Sequence, residues 1–294
     1  RVRTRAVVKV QDGCSQFCAY CAVPYARHRE WSRDLQDVIE ELRVLAGFGY
    51  KEVVLAGIRL GSYAGGLARL IRAASEVEGI ERIRLSSIEV WEIDDDLLSA
   101  MAESPKVCRH LHVPLQSGDA KVLEDMRRPY TPQYYAEVIK KARQALPGLG
   151  LTTDVIVGFP GESEERFIKS YQFVKDTQFS RLHVFRYSPR RGTAAAEMSD
   201  HVPECDKTQR SEKMIELGAE IAKKFASQLI GEIIPVLVES KRAELLSGFT
   251  DNYVEVQFGG SEKLRGTVQP VRIESISESG ALQGSLFNLQ EEKQ

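Results

Sequence analysis

Cys14, Cys18 and Cys21 stand close together in the run Cys14-Ser-Gln-Phe-Cys18-Ala-Tyr-Cys21, a C-x3-C-x2-C spacing. Thiolates are soft ligands that select zinc, copper(I) or iron–sulfur clusters. A closed zinc site takes a fourth protein ligand, and a conventional four-cysteine cluster takes a fourth cysteine. Neither follows nearby; the nearest alternative ligand, His28, is set between Arg27 and Arg29. Three thiolates on a four-iron cluster leave one iron open, and an open metal position is where a small molecule binds. The bland alternative is a structural zinc knuckle or three unrelated core thiols.

The elements that would position this loop read as repeated strand–helix units. Ala6–Val10 is a β-rich run ahead of the cysteines, and Leu35, Val38, Ile39, Leu42 and Leu45 recur at helical spacing behind them. Strands follow at Val53–Leu55, Ile83–Leu85, Leu111–Val113, Leu151–Val157 and Leu182–Phe185, with amphipathic helices between them. Alternation of this kind predicts a parallel sheet. Six units fall short of the eight of a closed barrel, so the expected fold is α/β, a partial (β/α)6 TIM-like barrel. Reactive groups in such folds sit at the C-terminal ends of the strands. Those ends carry Gly57-Ile-Arg-Leu-Gly61, Ser86-Ser-Ile-Glu89, Pro114-Leu-Gln-Ser-Gly118, Gly158-Phe-Pro-Gly-Glu162 and Tyr187-Ser-Pro-Arg-Arg-Gly192. Taken alone, each is a turn or a helix start.

A long helix from about Asp206 to Ile230 closes this part. Beyond it, Ile233–Val238, Tyr253–Phe258 and Leu264–Ile273 read as strands split by glycine and serine turns. The expected division is 1–228 for the partial barrel, 229–287 for a small all-β domain and 288–294 for a frayed tail.

The 294 residues carry a net charge of −2, which gives no global nucleic-acid signature. Residues 229–294 hold 6 Lys/Arg against 10 Asp/Glu. Cations cluster instead on the strand-end loops, at Arg27, Arg127, Arg128, Arg190 and Arg191, where a phosphate-contacting rim is expected. No membrane span and no signal segment are read. Five cysteines with three clustered argue against a disulfide framework and for a reducing, cytoplasmic setting. Cys108 and Cys205 read as isolated residues. The chain begins at Arg1, which reads as a fragment of something longer.

With these loops in view, the chain resembles the radical S-adenosylmethionine (SAM) methylthiotransferase family. The resemblance is carried by the cysteine spacing with Tyr20 before the last thiol, Lys9-Val-Gln-Asp-Gly-Cys14, Cys21-Ala-Val-Pro-Tyr-Ala-Arg27, Leu111-His-Val-Pro-Leu-Gln-Ser-Gly118, Met126-Arg-Arg128, Thr153–Glu162 and Tyr187–Thr193. Gln11-Asp-Gly13, Leu55–Tyr63 and Ser86-Ser-Ile-Glu89 look like the bacterial branch acting on N6-threonylcarbamoyladenosine beside the tRNA anticodon. Arg59, Trp31 and Ala56 depart from that branch's usual residues. The small β domain resembles a TRAM domain, which the family uses to hold RNA or protein.

That resemblance implies a 4Fe–4S cluster on Cys14, Cys18 and Cys21, with SAM on the open iron. One electron then cleaves SAM to methionine and a 5′-deoxyadenosyl radical. Implied SAM contacts are Tyr20, Gly57, Ser87, Glu89, Gln116, Ile156, Gly158 and Phe185. Implied partners are a tRNA anticodon loop and an electron donor such as flavodoxin or ferredoxin. The family also has an N-terminal domain with a second 4Fe–4S cluster, not matched here. The chain by itself is therefore expected to cleave SAM without completing methylthiolation. The rivals are the same chemistry on isopentenyladenosine or on a ribosomal protein, and a non-catalytic iron–sulfur RNA-binding or redox module.

Overall fold

The computed structural model describes residues 3–27, 29–277 and 280–287. His28 and the expected tail, 288–294, lie outside the described residues. The chain order is β1 (Arg5–Lys9), β2 (Gln11–Asp12), α1 (Val23–Ala26), β3 (Trp31–Ser32), α2 (Leu35–Gly47), β4 (Glu52–Ala56), α3 (Leu67–Ser75), β5 (Arg82–Leu85), α4 (Asp95–Glu103), β6 (His110–His112), α5 (Ala120–Asp125), α6 (Pro132–Ala145), β7 (Gly150–Val157), α7 (Glu164–Thr177), β8 (Arg181–Arg186) and α8 (Glu204–Ser227). Capping fixes several helix starts. The Asp94 carboxylate accepts from the Leu97 amide, Asp119 from Lys121 and Val122, and Thr131 from Tyr134 with Pro132 at the first helical position.

The strands β1-β4-β5 and β6-β7-β8 pair in parallel, and bridges at Ile83–Val107 and Ser87–His112 join the two runs. The result is six parallel strands with β1 and β8 unpaired at the edges among the described residues, the expected open, partial (β/α)6 barrel. Its main core lies between the strands and helices, where Leu42, Leu55, Leu70, Ile71 and Ile83 are fully enclosed.

After α8 come β9 (Ile233–Arg242), β10 (Leu245–Thr250), β11 (Glu255–Gly259), β12 (Val268–Ile276) and β13 (Leu282–Leu286), closed into a barrel in the order β10-β11-β13-β12-β9. Two of these, β10 and β13, were not expected from sequence. Their glycines read as turn residues but serve as close approaches inside strands. A Cβ at Gly248 would lie 2.1 Å from the Leu237 carbonyl oxygen, and one at Gly284 2.2 Å from that of Arg272.

The β10–β11 turn plugs the N-terminal end of the half-barrel. Arg84 donates to the carbonyls of Asp251 (2.9 Å) and Thr250 (3.1 Å), and Arg82 to that of Phe249 (3.0 Å). Both arginines also grip the buried Glu52, at 2.8 and 3.0 Å. Burial alone would raise the Glu52 pKa, but Arg84 and Arg82 outweigh it and hold the carboxyl low. Arg109 binds Asp251 at 2.7 Å. The β domain is thus fixed at the end opposite the strand-end loops.

Candidate active site

The cysteine loop is held from several sides. Gly13 turns the chain at φ +82°, where a Cβ would lie 2.1 Å from the Arg29 carbonyl oxygen. The Cys14 amide donates to the Arg27 carbonyl (3.2 Å), and Glu30 accepts from the Ser15 amide and hydroxyl (2.6 and 2.7 Å). The Ala19 amide donates to the Met126 carbonyl (2.9 Å), and the Ala195 amide to that of Ala19 (2.8 Å). Cys18 is buried, and Cys14 and Cys21 are half-buried; all three are free thiols. Burial pushes the Cys14 and Cys21 thiols up, and the neighbouring Cys18 adds to that push in both. Among the described residues, no three Cys, His, Asp or Glu side chains stand already converged on one metal position. The loop carries three thiols with Cys18 electrostatically coupled to the other two, and convergence is left to the metal.

Arg128 is the main correction to the sequence reading. It is not on a phosphate-binding rim: its side chain is only 2% exposed. Its guanidinium grips both carboxylate oxygens of Glu89, lies 3.5 Å from Cys18 Sγ and faces the rings of Trp91 (4.9 Å) and Tyr130 (5.2 Å). The basic Arg127-Arg128 pair splits because Arg127, at φ +57°, turns outward and Arg128 inward. Arg27, Arg127, Arg190 and Arg191 are exposed; Arg27 pairs with Asp12 at 2.9 Å.

Gln116, at φ +63°, uses its backbone amide and carbonyl to Asp154 and Ile156, leaving its side chain without a partner among the described residues. Ile156 and Tyr20 pack on a small apolar cluster with Ala19, Met126 and Phe159. The Tyr20 hydroxyl lies near Arg128, Cys18 and Glu89, and its pKa is pushed well up by burial. Gly57 and Gly158 are close approaches rather than open backbone faces. A Cβ at Gly57 would meet Gln11 Oε1 at 2.9 Å, and one at Gly158 would meet Lys207 Cγ at 2.3 Å. The Gly158 amide, expected at the ligand, instead donates to Glu162 Oε2 (2.6 Å), itself held by Arg210.

Ser87 and Phe185 line a cavity of about 820 Å³ inside the half-barrel; its walls include Val7, Arg84, His112, Asp154 and His183. Sequence reasoning missed Arg59, which donates to Glu92 (2.6 Å) and braces Glu30 beneath Ser15 at 3.4 Å. It also missed the histidines of the cavity. A period of two along His110-Leu-His112 was the available signal, since alternate residues share a face.

The model of the radical SAM superfamily matches residues 8–174. The chain belongs to that superfamily. It is 44% identical over 282 residues to the threonylcarbamoyladenosine tRNA methylthiotransferase MtaB of Bacillus subtilis, covering 92% of this chain and 62% of that protein. It is 41% identical over 294 residues to the tRNA-2-methylthio-N(6)-dimethylallyladenosine synthase of a Thermoanaerobacter species, covering 97% and 62%. The chain therefore spans about three-fifths of the length of these curated relatives. Among solved structures, the radical SAM methyltransferase TsrM of Kitasatospora setae has a TM-score of 0.56 at 16% identity, over 82% of this chain and 42% of that one. Coproporphyrinogen III oxidase (HemN) of Escherichia coli has a TM-score of 0.55 at 14% identity, over 85% and 67%. At such identities these two show the fold alone.

The cofactors of the superfamily are a 4Fe–4S cluster and SAM, and the donor set fits them. Three free thiols on one loop match a cluster with one unligated iron. Glu89, tied through Arg128 to the Cys18 sulfur, and the Gln116 side chain, unpartnered among the described residues, supply polar groups at the strand ends. No described helix is long and apolar enough to cross a membrane.

Proposed function

We propose that this chain is the radical-generating part of a tRNA methylthiotransferase that places a methylthio group on C2 of N6-threonylcarbamoyladenosine next to the anticodon. The observation that carries the reading is the 44% identity over 92% of the chain to a relative named for that activity. The β domain, resembling a TRAM domain, and the exposed Arg27, Arg127, Arg190 and Arg191 are the groups we assign to tRNA. The electron donor is a small carrier of the flavodoxin or ferredoxin kind. A second cluster on a further domain would supply the sulfur.

A 4Fe–4S cluster with SAM supplies one-electron cleavage of a sulfonium. The chain's own part is to bind, orient and exclude water. Cys14, Cys18 and Cys21 hold the metal. Arg128 fixes Glu89 at the edge of the loop and places a cation against the Cys18 sulfur. The Gln116 side chain is free to bond a polar group of the cofactor. Phe159, Met126 and Tyr20 close the back of the loop against water.

The test is nucleoside mass spectrometry of tRNA from cells with and without the full-length gene. Loss of 2-methylthio-N6-threonylcarbamoyladenosine, with the prenylated counterpart intact, supports the reading; loss of the prenylated form alone moves the chain to the other branch. In parallel, the reconstituted and reduced chain should release 5′-deoxyadenosine from SAM. No cleavage by an iron-loaded chain would sink the radical reading.

A further inference from the structure

The cavity of the half-barrel has a chemically distinct middle level, formed by β6, β7 and β8. There, His112 Nε2 lies 3.3 Å from Asp154 Oδ1, and His112 Nδ1 lies 2.9 Å from Thr152 Oγ1. His110 Nε2 reaches the same hydroxyl at 3.0 Å. One hydroxyl between two ring nitrogens donates to one and accepts from the other. If His112 gives its Nε2 proton to the carboxylate, Nδ1 accepts from Thr152, and Thr152 accepts from His110. This sequence leaves His110 Nδ1 bare, and it is indeed buried without a partner. The wall is therefore a braced polar chain ending at Asp154.

Beside it on β8, in register with Asp154, stands His183, 5.7 Å from His112 between ring centroids. Among the described residues, neither His183 nor Arg181 has a hydrogen-bond or ion-pair partner, and both line the cavity. Phe185 lines it two residues further along β8 and is 51% exposed. Two residues along a strand span about 7 Å. A purine entering from the cysteine-loop end passes Phe185 first, and a substituent of that reach arrives at His112, Asp154 and His183.

We propose that this level is the pocket for the N6 substituent of the substrate adenosine, and that His183, with Arg181 below it, selects a hydrophilic, carboxylate-bearing substituent over an apolar prenyl group. The proposal rests on the tRNA reading above. A carboxylate gives His183 and Arg181 the partner they lack, and an amide or hydroxyl proton suits the free oxygen of Asp154. A prenyl group would strip water from all three and return no hydrogen bond. Sites built to bond a polar group reject the analogue without it far more strongly than apolar pockets reject a change in size.

The test uses the cluster-loaded chain with SAM and three anticodon stem-loop RNA hairpins that differ at one adenosine: threonylcarbamoyl, isopentenyl or unmodified. Fluorescence anisotropy gives Kd for each. The expected preference for the threonylcarbamoyl hairpin is on the order of 10- to 100-fold over the isopentenyl one. His183→Phe and, separately, the more exposed Arg181→Met should each shrink that ratio by about tenfold while leaving Kd for the unmodified hairpin and for SAM unchanged. The thermal midpoint of each variant reports folding. Equal affinity of the unaltered chain for all three hairpins, or an undiminished preference in both variants, overturns the assignment and leaves the tRNA reading standing. Binding of none of the hairpins overturns both.

Discussion

Arg128 Nη1 lies 3.5 Å from the sulfur of Cys18, while both Nη atoms of the same guanidinium donate to Glu89 and Nε donates to the Tyr130 hydroxyl at 3.4 Å. Buried between two rings, this cation has Glu89 as its one ion-pair partner among the described residues. The pair is unequal, because the Glu89 side chain is 22% exposed and the Arg128 side chain 2%. Removing the carboxylate strands a buried cation, whereas removing the cation leaves a carboxylate that can turn to water. Glu89→Leu should therefore destabilise the metal-free chain by about 3 kcal/mol. Arg128→Met should cost roughly 1–2 kcal/mol, mostly lost hydrogen bonds. Urea midpoints decide the order; equal losses would mean that the guanidinium is hydrated after all.

The arginines at the strand ends separate by exposure, and RNA binding should separate them in the same way. Arg127→Ala, Arg190→Ala and Arg191→Ala should each flatten the log–log salt dependence of tRNA affinity by about one unit or less. A buried Arg128 makes no phosphate contact, so Arg128→Met should leave the slope alone. A slope lowered by Arg128→Met as much as by the other three would restore the rim as sequence placed it.

How far sequence reached depends on what each residue is asked to do. The half-barrel was legible because its strands and helices carry strong periodicity, and the cysteine loop because three soft ligands in so short a run have few other uses. Arg127 and Arg128 were not separable, since adjacent arginines look alike until one left-handed backbone angle sends them to opposite sides. Gly158 read as a ligand-facing backbone turn, yet its amide is consumed by Glu162, a partner that only the folded loop reveals. The strands β10 and β13 hid behind Gly248 and Gly284, whose use in a tight barrel is close packing.

The seam between half-barrel and β domain carries a pH signature. His110 sits against Tyr253, ring centroids 4.7 Å apart, and its pKa is pushed well below 6.5, first by burial and then by Arg84. A base whose folded pKa is depressed binds its proton more readily when unfolded. Stability is then full above the ordinary histidine pKa and falls as pH drops below about 6.5. Glu52, with its pKa lowered, adds a second loss further into the acid range, below its ordinary 4.5. Thermal midpoints should hold from pH 8 to about 7 and decline below about 6.5. His110→Gln should remove the upper part of that decline; an unchanged profile would place the titration elsewhere.

The three thiols should take up iron only as a set, on a loop that keeps its shape. Anaerobic reconstitution is expected to give about four irons per chain. Cys14→Ala should abolish this, because two thiolates cannot hold a site-differentiated cluster. Cys108→Ala should leave it intact, since that thiol is buried at the seam beside Arg84 and Glu52. Gly13→Ala tests the scaffold rather than the ligands. Its Cβ would run into the Arg29 carbonyl, so the turn that delivers Cys14 must move, and iron content should fall with every cysteine still present. Loading should also slow as pH falls, because metal binding must displace protons from Cys14 and Cys21, whose thiols burial has pushed up. Iron and sulfide analysis with the visible spectrum reads each case. Stoichiometric zinc with no iron uptake, or full iron loading of Cys14→Ala, would show that the loop is not the cluster's cradle.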